Sequence, residues 1–404
     1  MSGQNCLLFM VEKWRRHLDK GEKAGVLLTD LSKAFDCLWH DLLIAKLQAY
    51  GFDNLALKLI YSYLSDRFQR VRINASFSSW TKIIFGVPQG SILGPPFFNI
   101  YSNDIFLFLI LDIANYADDN SPFACGKTIP SVISQLETDV SSLLIWIGNN
   151  GLKANPDKFH LLLSENNQDT AIRVDAFDIK NSNSEKLLGI KIDNKLTFDP
   201  HVSDICTKVS KKLHALSRVG HLMLFKRRRE IMHAFILSQF GYCPLVWMFH
   251  SRKLNNRINT LHERALRIVY QDRISSFDEL LSKDGSFTIH ERNIQTLAIE
   301  LYKVWHGLSP KIMELVFPLN ANAKTGKMGF LSRNVRSVYN GTETLAFLGP
   351  KIWELVPSDW KNFSLSQFSK RIRNWKTDCP CRLCKLYIPG VGFIGKVSVS
   401  VFRF

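Results

Sequence analysis

The sequence predicts an α+β fold, in which an antiparallel sheet with packed helices precedes a basic helical domain and a C-terminal extension. Short apolar runs bounded by turn residues fill the first half of the chain. Helical periodicity replaces them from Asp199 onward, and both signals weaken after about Gln271. With 404 residues, 46% of them hydrophobic, the chain is long enough for two or three domains with cores of their own.

The charge of the chain indicates a polyanionic partner. The formal net charge is +16, and such a field attracts nucleic acid or anionic lipid. We expect no membrane span, because the longest apolar run, "IFLFLILDIA", is interrupted by Asp112 and falls short of roughly 20 residues. Five of the eight cysteines are scattered in apolar contexts, which is typical of reduced intracellular proteins.

The stretch "GVLLTDLSKAFDCLWHDLLIAKLQAYGF" predicts a buried strand followed by a helix. The apolar run ends at Asp30, Ser32 is a candidate helix cap, and the helix stops at Gly51. Asp30 therefore lies at the carboxyl end of a strand. The next segment, between Tyr61 and Phe85, alternates enough to predict two strands of a hairpin with basic residues on one side.

Two further segments surround a pair of adjacent carboxylates. "GVPQGSILGPPFFNIYSNDI" predicts a loop that brings its backbone close to another group, followed by an apolar helix. In "NYADDNSPF" two short apolar flanks predict a hairpin, with Asp118 and Asp119 at its tip. Adjacent carboxylates repel each other, so the pair belongs either to a solvated turn or to a cation site.

The second half of the chain begins with a polar loop and a hairpin. "LIWIGNNGLKANPDKFHLLL" predicts a helix end, a loop carrying Lys158 and a strand, and "KLLGIKIDNKLTF" predicts a hairpin turning at Asp193–Asn194. Helices follow, the first with Asp199 as its N-cap. The run "FKRRRE" is interpreted as a basic patch at a helix start that contacts phosphates.

Three aspartates, one at a strand end and two at a hairpin tip, can converge on divalent metals. Mg²⁺ prefers carboxylate oxygens and substrate phosphates, and two such ions about 4 Å apart can activate a 3′ hydroxyl and stabilise a leaving pyrophosphate. A Gly/Pro/Gln loop and a lysine near the triphosphate would complete such a site, because phosphoryl transfer depends on positioning and charge neutralisation.

Five motifs resemble the palm motifs of reverse transcriptases. "LLTDLSKAFDCLWH", "GVPQGSILGPPFFNIYSNDI", "NYADDNSPF", "GLKANPDKFHLLL" and "KLLGIKID" occur in that family's order and approximate spacing, and they are most similar to those of non-LTR (LINE-type, jockey-like) retrotransposons. The resemblance covers roughly Gln4 to Ile192. It implies a polymerase right-hand palm, and the basic helices that follow resemble the family's thumb.

The resemblance implies a two-metal catalytic site. Asp30 and Asp118 match the main metal ligands, and Asp119 matches the third carboxylate. Leu31 would offer its backbone carbonyl, and Lys158 would donate a proton to pyrophosphate. The implied cofactors are Mg²⁺ or Mn²⁺, and the implied substrates are deoxynucleoside triphosphates.

It also implies a nucleotide pocket and nucleic-acid partners. Phe35 falls where the family places the aromatic ring that blocks a ribose 2′-OH, and Gln89 and Gly90 would line the nucleotide and template pocket. "LLGIKID" would be the primer grip. The partners would be an RNA template and a DNA primer, within an intracellular ribonucleoprotein that is nuclear, cytoplasmic or both.

On this basis we divide the chain into three regions. Residues 1–192 would be the palm with partial fingers, residues 193–275 a helical thumb-like domain, and residues 276–404 a C-terminal extension. Family motifs that hold the triphosphate from before the first catalytic aspartate are missing, so we expect an N-terminally truncated element. Two alternatives to an active polymerase stay open: a catalytically inactive nucleic-acid-binding remnant, and an intron-maturase-like RNA-binding protein.

The tail "CPCRLC" carries Cys379, Cys381 and Cys384. Three cysteines are too few for a closed zinc site unless a histidine or another cysteine joins them. The sequence alone therefore favours free tail cysteines over a zinc knuckle.

Overall fold

The computed structural model describes residues 3–116, 119–165, 167–175, 177–321, 328–381, 383, 387–388 and 392–393. The chain separates into two compact units. We call residues 22–185 the sheet unit. Residues 1–21 and 186–404 together form the helical unit.

The helices of the described residues are α1 (Gly3–Asp19), α2 (His40–Ala49), α3 (Asn54–Leu64), α4 (Gly94–Ser102), α5 (Ile129–Asn149), α6 (Asp199–Val219), α7 (Phe225–Ile231), α8 (Pro244–Trp247), α9 (Arg252–Tyr270), α10 (Phe277–Asp284), α11 (Ile289–Trp305), α12 (Ile312–Val316), α13 (Leu345–Leu355) and α14 (Leu365–Ile372). None of these helices is long and apolar enough to cross a bilayer.

The strands of the described residues are β1 (Lys23–Leu28), β2 (Arg67–Gln69), β3 (Arg72–Ile73), β4 (Ser76–Phe77), β5 (Thr81–Ile83), β6 (Asp112–Tyr116), β7 (Asp119–Gly126), β8 (His160–Leu163), β9 (Ala171–Val174), β10 (Phe177–Lys180), β11 (Ser184–Leu187), β12 (Ile190–Asp193), β13 (Leu319–Ala321), β14 (Met328–Phe330), β15 (Tyr387–Ile388) and β16 (Gly392–Phe393). β2 pairs with β5 and β3 with β4, which confirms the predicted hairpin.

A four-stranded antiparallel sheet in the order β6-β7-β1-β8 forms the centre of the sheet unit. β1 is almost wholly buried, as its run of apolar residues predicts. α5 packs on this strand at Gly25, where a Cβ atom would lie 2.5 Å from Leu163 Cδ2 and 2.9 Å from Val132 Cγ1. The strand that leads to Asp30 is thus fixed by close packing.

A half-buried lysine holds the helices of the sheet unit together. The Lys46 ammonium of α2 donates to the Tyr101 carbonyl at 2.6 Å, to Asp104 Oδ1 at 2.9 Å and to Asn150 Oδ1 at 2.5 Å. Tyr101 lies in the last turn of α4, and Asn150 directly follows α5. Burial lowers the pKa of Lys46, although Asp104 opposes this shift. One cation therefore satisfies acceptors from three parts of the unit.

In the helical unit, α1 contacts segments near the other end of the chain. The buried Glu12 carboxylate accepts the backbone N–H groups of Leu345 and Ala346, at 2.9 and 3.2 Å. Burial raises the pKa of Glu12 in spite of these bonds. The Asp19 carboxylate accepts the N–H and hydroxyl of Ser337, at 2.8 and 2.9 Å. Carboxylates of α1 thus cap a helix and a turn more than 300 residues away.

The α+β class with its antiparallel sheet and packed helices is confirmed, and three local predictions are wrong. Ser32 does not cap the helix after β1, because a single 3₁₀ turn intervenes and α2 starts at His40. The residues between β11 and β12 are Leu188 and Gly189, so the hairpin does not turn at Asp193–Asn194. Asp199 is already inside α6, and the capping position belongs to the residue before it.

The Asp193 carboxylate has another role than a hairpin turn. It accepts the backbone N–H of Phe198 at 2.7 Å and the hydroxyl of Thr197 at 2.9 Å. Phe198 has a φ of 57° at the start of α6. Asp193 therefore shapes the entry into this helix. The division into regions 1–192, 193–275 and 276–404 stays a prediction.

Candidate catalytic site

Asp30 and Asp119 lie next to the last paired residues of two neighbouring strands. β1 and β7 pair in the register Val26 with Phe123, and the bridge of Thr29 with Asn120 continues it. Asp30 follows Thr29 and Asp119 precedes Asn120, so one further step of this register would match Asp30 with Asp119. Cα atoms in such antiparallel pairs are about 4.5–5.5 Å apart and the two side chains share a face. The register therefore places two predicted metal ligands at the ends of neighbouring strands, each one residue from the Thr29–Asn120 bridge.

The register is fixed by hydrogen bonds of Thr29, one residue before Asp30. Thr29 donates its N–H and its hydroxyl to the Asn120 carbonyl, at 3.1 and 2.7 Å. Across the hairpin, Asp119 begins β7 and pairs with Tyr116 at the end of β6. Asp118, the other predicted ligand, lies outside the described residues.

The carbonyl of Leu31 points to the same side as Asp119. Leu31 forms an isolated β-bridge with Ala154. The hydrogen bonds of this bridge are made by the residues on either side of Leu31 and Ala154, and not by these two residues themselves. The Asp30 carbonyl accepts the Asn155 N–H at 3.0 Å, and the Ser32 N–H donates to Lys153 at 2.8 Å. Polar groups of successive residues in a strand alternate in direction. The Leu31 carbonyl is therefore directed toward β7, the side on which the metal ligands are predicted.

Lys158 contacts the predicted metal ligand. It ends a 3₁₀ turn that Pro156 begins, and its Nζ atom lies 3.1 Å from Asp30 Oδ2. The side chains are 62% and 34% exposed, so the pair is hydrated and weak. The structure thus brings Asp30, Asp119 and Lys158 to the same end of the sheet, where β1 ends and β7 begins.

The glycine-containing loop packs on the 3₁₀ turn that carries Phe35. The Val87 N–H donates to the Phe35 carbonyl at 3.0 Å, and the Gly86 N–H donates to the Leu38 carbonyl at 2.8 Å. Gly86 has a φ of +82°, and a Cβ atom there would lie 2.8 Å from the Asp36 Cα. The Phe35 ring is half-buried and packs on Phe98 with 4.7 Å between ring centroids.

Gln89 and Gly90 lie at the exposed end of the same loop. Gln89 Nε2 donates to both carboxylate oxygens of Asp36, at 2.9 and 3.2 Å. Gly90 has a φ of +78°, and a Cβ atom there would contact nothing. Asp36 was not among the predicted site residues. The only sequence signal for Asp36 was its position directly after Phe35. A carboxylate at that position can accept hydrogen bonds from Gln89 and so orient its side chain.

The prediction that "FKRRRE" forms a basic patch that contacts phosphates is wrong for two of its arginines. The Arg228 guanidinium is buried and donates to the Val269 and Met223 carbonyls, both at 2.9 Å. Arg229 pairs with Asp284 at 2.7 Å. Lys226 and Arg227 are exposed. The sequence could not distinguish arginines that tie helices together from those that face solvent.

The donor set at the sheet edge fits a hard divalent cation. Two carboxylates and a backbone carbonyl are oxygen ligands, which Mg²⁺ and Mn²⁺ prefer over the nitrogen and sulfur ligands that zinc takes. The arrangement also agrees with a known family. Residues 4–192 match the family model described as "Reverse transcriptase (RNA-dependent DNA polymerase)".

This part of the chain is similar to the reverse transcriptase family. Curated relatives come from mobile elements of Drosophila melanogaster. The chain is 27% identical over 267 residues to the "Probable RNA-directed DNA polymerase from transposon BS", and 28% identical over 264 residues to the "RNA-directed DNA polymerase from mobile element jockey". Each alignment covers 62% of this chain and 29% of the relative. The prediction of a jockey-like reverse transcriptase is confirmed, and the chain spans under a third of those relatives' length.

Solved telomerase structures also resemble this reverse transcriptase chain. One is apo telomerase from Candida tropicalis, with a TM-score of 0.38, 16% identity, and coverage of 68% of this chain and 46% of that one. Another is telomerase from Candida albicans with a fragment of telomeric RNA, with a TM-score of 0.36, 17% identity, and coverage of 71% and 50%. Similarity at these TM-scores does not bear on function.

Proposed function

We propose that the chain is the polymerase part of a non-LTR retrotransposon reverse transcriptase, which extends a DNA primer on an RNA template with deoxynucleoside triphosphates. The observation that carries the proposal is the contact of Lys158 with Asp30 directly after the Thr29–Asn120 bridge, whose other strand is preceded by Asp119. The match of residues 4–192 to the family model supports it.

The proposed site would hold Mg²⁺ or Mn²⁺ through the Asp30, Asp118 and Asp119 carboxylates and the Leu31 carbonyl. Such ions supply charge neutralisation for the primer 3′-oxygen and for the leaving pyrophosphate. The carboxylates position and hold these charges. Lys158 leaves Asp30 when the nucleotide binds and delivers its proton to the pyrophosphate, since its exposed side chain can swing between the two anions.

We propose that the Gly86–Gly90 loop forms one wall of the nucleotide pocket. Hydrogen bonds from Gly86 and Val87 fix the loop against the Phe35 turn, which supports a defined position for Phe35; we place the incoming sugar beside it. Its ring would exclude a ribose 2′-OH. Gln89, oriented by Asp36, and the sterically open Gly90 would line the pocket for nucleotide and template.

The partners follow from the charge and the family. A net charge of +16 favours nucleic acid, and much of that affinity would come from phosphate contacts and decrease with salt. The template would be RNA and the primer DNA, in an intracellular ribonucleoprotein. Segment "LLGIKID", which spans β12 and the turn before it, would grip the primer.

Primer extension on a poly(rA)/oligo(dT) duplex with Mg²⁺ or Mn²⁺ tests the proposal. Asp30→Asn and Asp118→Asn should each abolish extension and leave duplex binding intact. Asp157→Asn is the matched control, because Asp157 is an exposed carboxylate in the same 3₁₀ turn as Lys158. A folded parent chain that binds the duplex without extending it would refute the proposed activity and support an inactive nucleic-acid-binding remnant.

A further inference from the structure

The segment that follows α14 lies against the first half of α11. The Trp375 carbonyl accepts a hydrogen bond from Gln295 Nε2 at 3.0 Å. Lys376 Nζ lies 3.9 Å from Glu291 Oε1. Farther along, Cys381 Sγ lies 3.1 Å from His290 Nε2. Cys381 of this segment is therefore brought to the start of α11.

His290, Cys379 and Cys381 form a compact buried cluster. Their side chains are 6%, 5% and 9% exposed, and one potential ligand atom from each lies within 4.8 Å of the others. In a tetrahedral zinc site with Zn–S of about 2.3 Å and Zn–N of about 2.0 Å, ligand atoms are roughly 3.5–3.8 Å apart. Closing the observed cluster onto an ion requires side-chain shifts of less than a bond length.

The orientation of His290 is fixed by the start of α11. Thr288 caps this helix and Glu291 completes a reciprocal capping box, with His290 between them. His290 Nε2 faces the Cys381 sulfur, and its Nδ1 atom is buried without a hydrogen-bond partner among the described residues. A thiol is a weak hydrogen-bonding partner, so it compensates poorly for burying an imidazole. A ligand shared by the imidazole and the sulfurs would compensate better.

We propose that His290, Cys379 and Cys381 bind a zinc ion that fastens the C-terminal segment to α11. Sulfur and imidazole ligands select zinc over magnesium, so this site and the carboxylate site of the sheet unit take different metals. Binding deprotonates the thiols, and the free energy of coordination adds to the stability of the docked segment. Cys384, which the sequence analysis grouped with these cysteines, lies outside the described residues.

Metal content of the purified full-length chain is the first test. Chains prepared without chelator should contain one zinc per molecule by mass spectrometry of the metal. Replacement by Co²⁺ should give the visible bands of a tetrahedral site and a thiolate-to-cobalt charge-transfer band. A folded chain without stoichiometric zinc, or with cobalt bands lacking thiolate charge transfer, would overturn the proposal and leave ordinary buried thiols.

Ligand variants give the second test. His290→Gln and Cys381→Ser should each weaken zinc binding by more than about 100-fold, beyond the 10- to 100-fold loss expected for a second-shell partner. His221→Gln and Cys125→Ser are the controls, since His221 is exposed and Cys125 lies in the sheet unit. Zinc retained in both ligand variants would overturn the proposal.

Proteolysis of the unmodified chain keeps the test valid if a variant fails to fold. A zinc chelator should expose the bond after Lys376 to trypsin in the parent chain, and added zinc should protect it again. A cleavage pattern unchanged by chelator and zinc would contradict a metal that fastens this segment. Because the readouts are metal content and cleavage, they do not depend on polymerase activity.

Discussion

The Lys158 ammonium lies 3.1 Å from Asp30, which joins the proposed proton donor to a proposed metal ligand 128 residues away in sequence. Asp30 follows a central strand, whereas Lys158 ends a 3₁₀ turn just before the neighbouring strand. Their contact means that a divalent cation has to compete with the lysine for the same carboxylate.

Replacing Lys158 should separate metal binding from catalysis. Lys158→Met removes the competing ammonium, so Mn²⁺ binding without nucleotide should tighten, but by no more than about fivefold because exposed ion pairs are worth about 1 kcal/mol or less. Extension should fall by about 100-fold or more through loss of the general acid. Lys158→Arg, which keeps the charge, should leave metal affinity unchanged. Weaker Mn²⁺ binding in Lys158→Met would contradict the competition.

Two glycines of one loop should respond differently to alanine. Gly86 and Gly90 have φ values of +82° and +78°, so alanine at either position pays roughly 1–2 kcal/mol for the left-handed conformation. Only at Gly86 would the new Cβ atom also collide with backbone, that of Asp36. Urea unfolding should therefore show a loss at least about 2 kcal/mol larger for Gly86→Ala. Equal losses would mean that the loop is not fixed as described.

Phe35→Val should reduce discrimination between deoxyribonucleotides and ribonucleotides. The smaller side chain removes the ring proposed to exclude the 2′-OH, so the ratio of kcat/KM for the two nucleotides should fall by at least about tenfold. Phe98→Leu is the comparison, because Phe98 packs on Phe35 from inside the core. If both variants lose stability and neither changes discrimination, Phe35 is a packing residue.

Lys46→Met should destabilise the sheet unit strongly. The substitution leaves the Tyr101 carbonyl and the Asn150 side-chain oxygen without their shared donor. Unsatisfied buried groups cost about 1–3 kcal/mol each, so we expect a loss of roughly 2–4 kcal/mol in the free energy of unfolding. The exposed Lys58→Met is the control and should change it by less than about 0.5 kcal/mol. A loss for Lys46→Met no larger than the control's would refute its central role.

Acid should destabilise the helical unit through His262. Burial and, to a smaller extent, the charge of Arg292 lower the pKa of His262 to about 3, although Asp284 opposes the shift. The folded state thus favours the neutral ring. The neutral His262 ring contributes its full stabilisation above the pKa of the unfolded state, near 6.5. As the pH falls from there toward 3, the free energy of unfolding decreases by about 1.4 kcal/mol per pH unit.

His262→Leu should make unfolding less dependent on pH. We expect the free energy of unfolding in urea to change less between pH 6.5 and pH 5 in this variant than in the parent chain, by about 2 kcal/mol. His221→Gln, an exposed histidine in the same unit, should keep the parent's dependence. An unchanged dependence in His262→Leu would place the acid sensitivity elsewhere.

Local sequence patterns were sufficient to predict the strands that carry the candidate site. The apolar run before Asp30 and the short flanks of the aspartate pair predict paired strands, and the structure has β1, β6 and β7 there. Helix α9 was also predictable, because apolar residues recur at helical spacing over its whole length. These features depend on residues close together in sequence.

Features that depend on distant residues could not be predicted. His290 is 91 residues from Cys381, so nothing in the tail motif indicates the histidine. Arg228 looks like a surface cation, yet it binds a carbonyl 41 residues ahead. The start of α2 was predicted too early, because apolar spacing alone does not reveal that the loop carrying Gly86 occupies the preceding turn. In each case tertiary contacts decide the outcome.

The bonds from Glu12 to the N-terminus of α13 have a consequence for synthesis of the chain. The two groups are separated by 333 residues. At roughly 5–20 residues per second, a ribosome needs about 17–67 s to pass from one to the other. During that time α1 has an apolar face and carboxylates without their final partners, so chaperone binding to the nascent α1 should end when residues around 345 emerge.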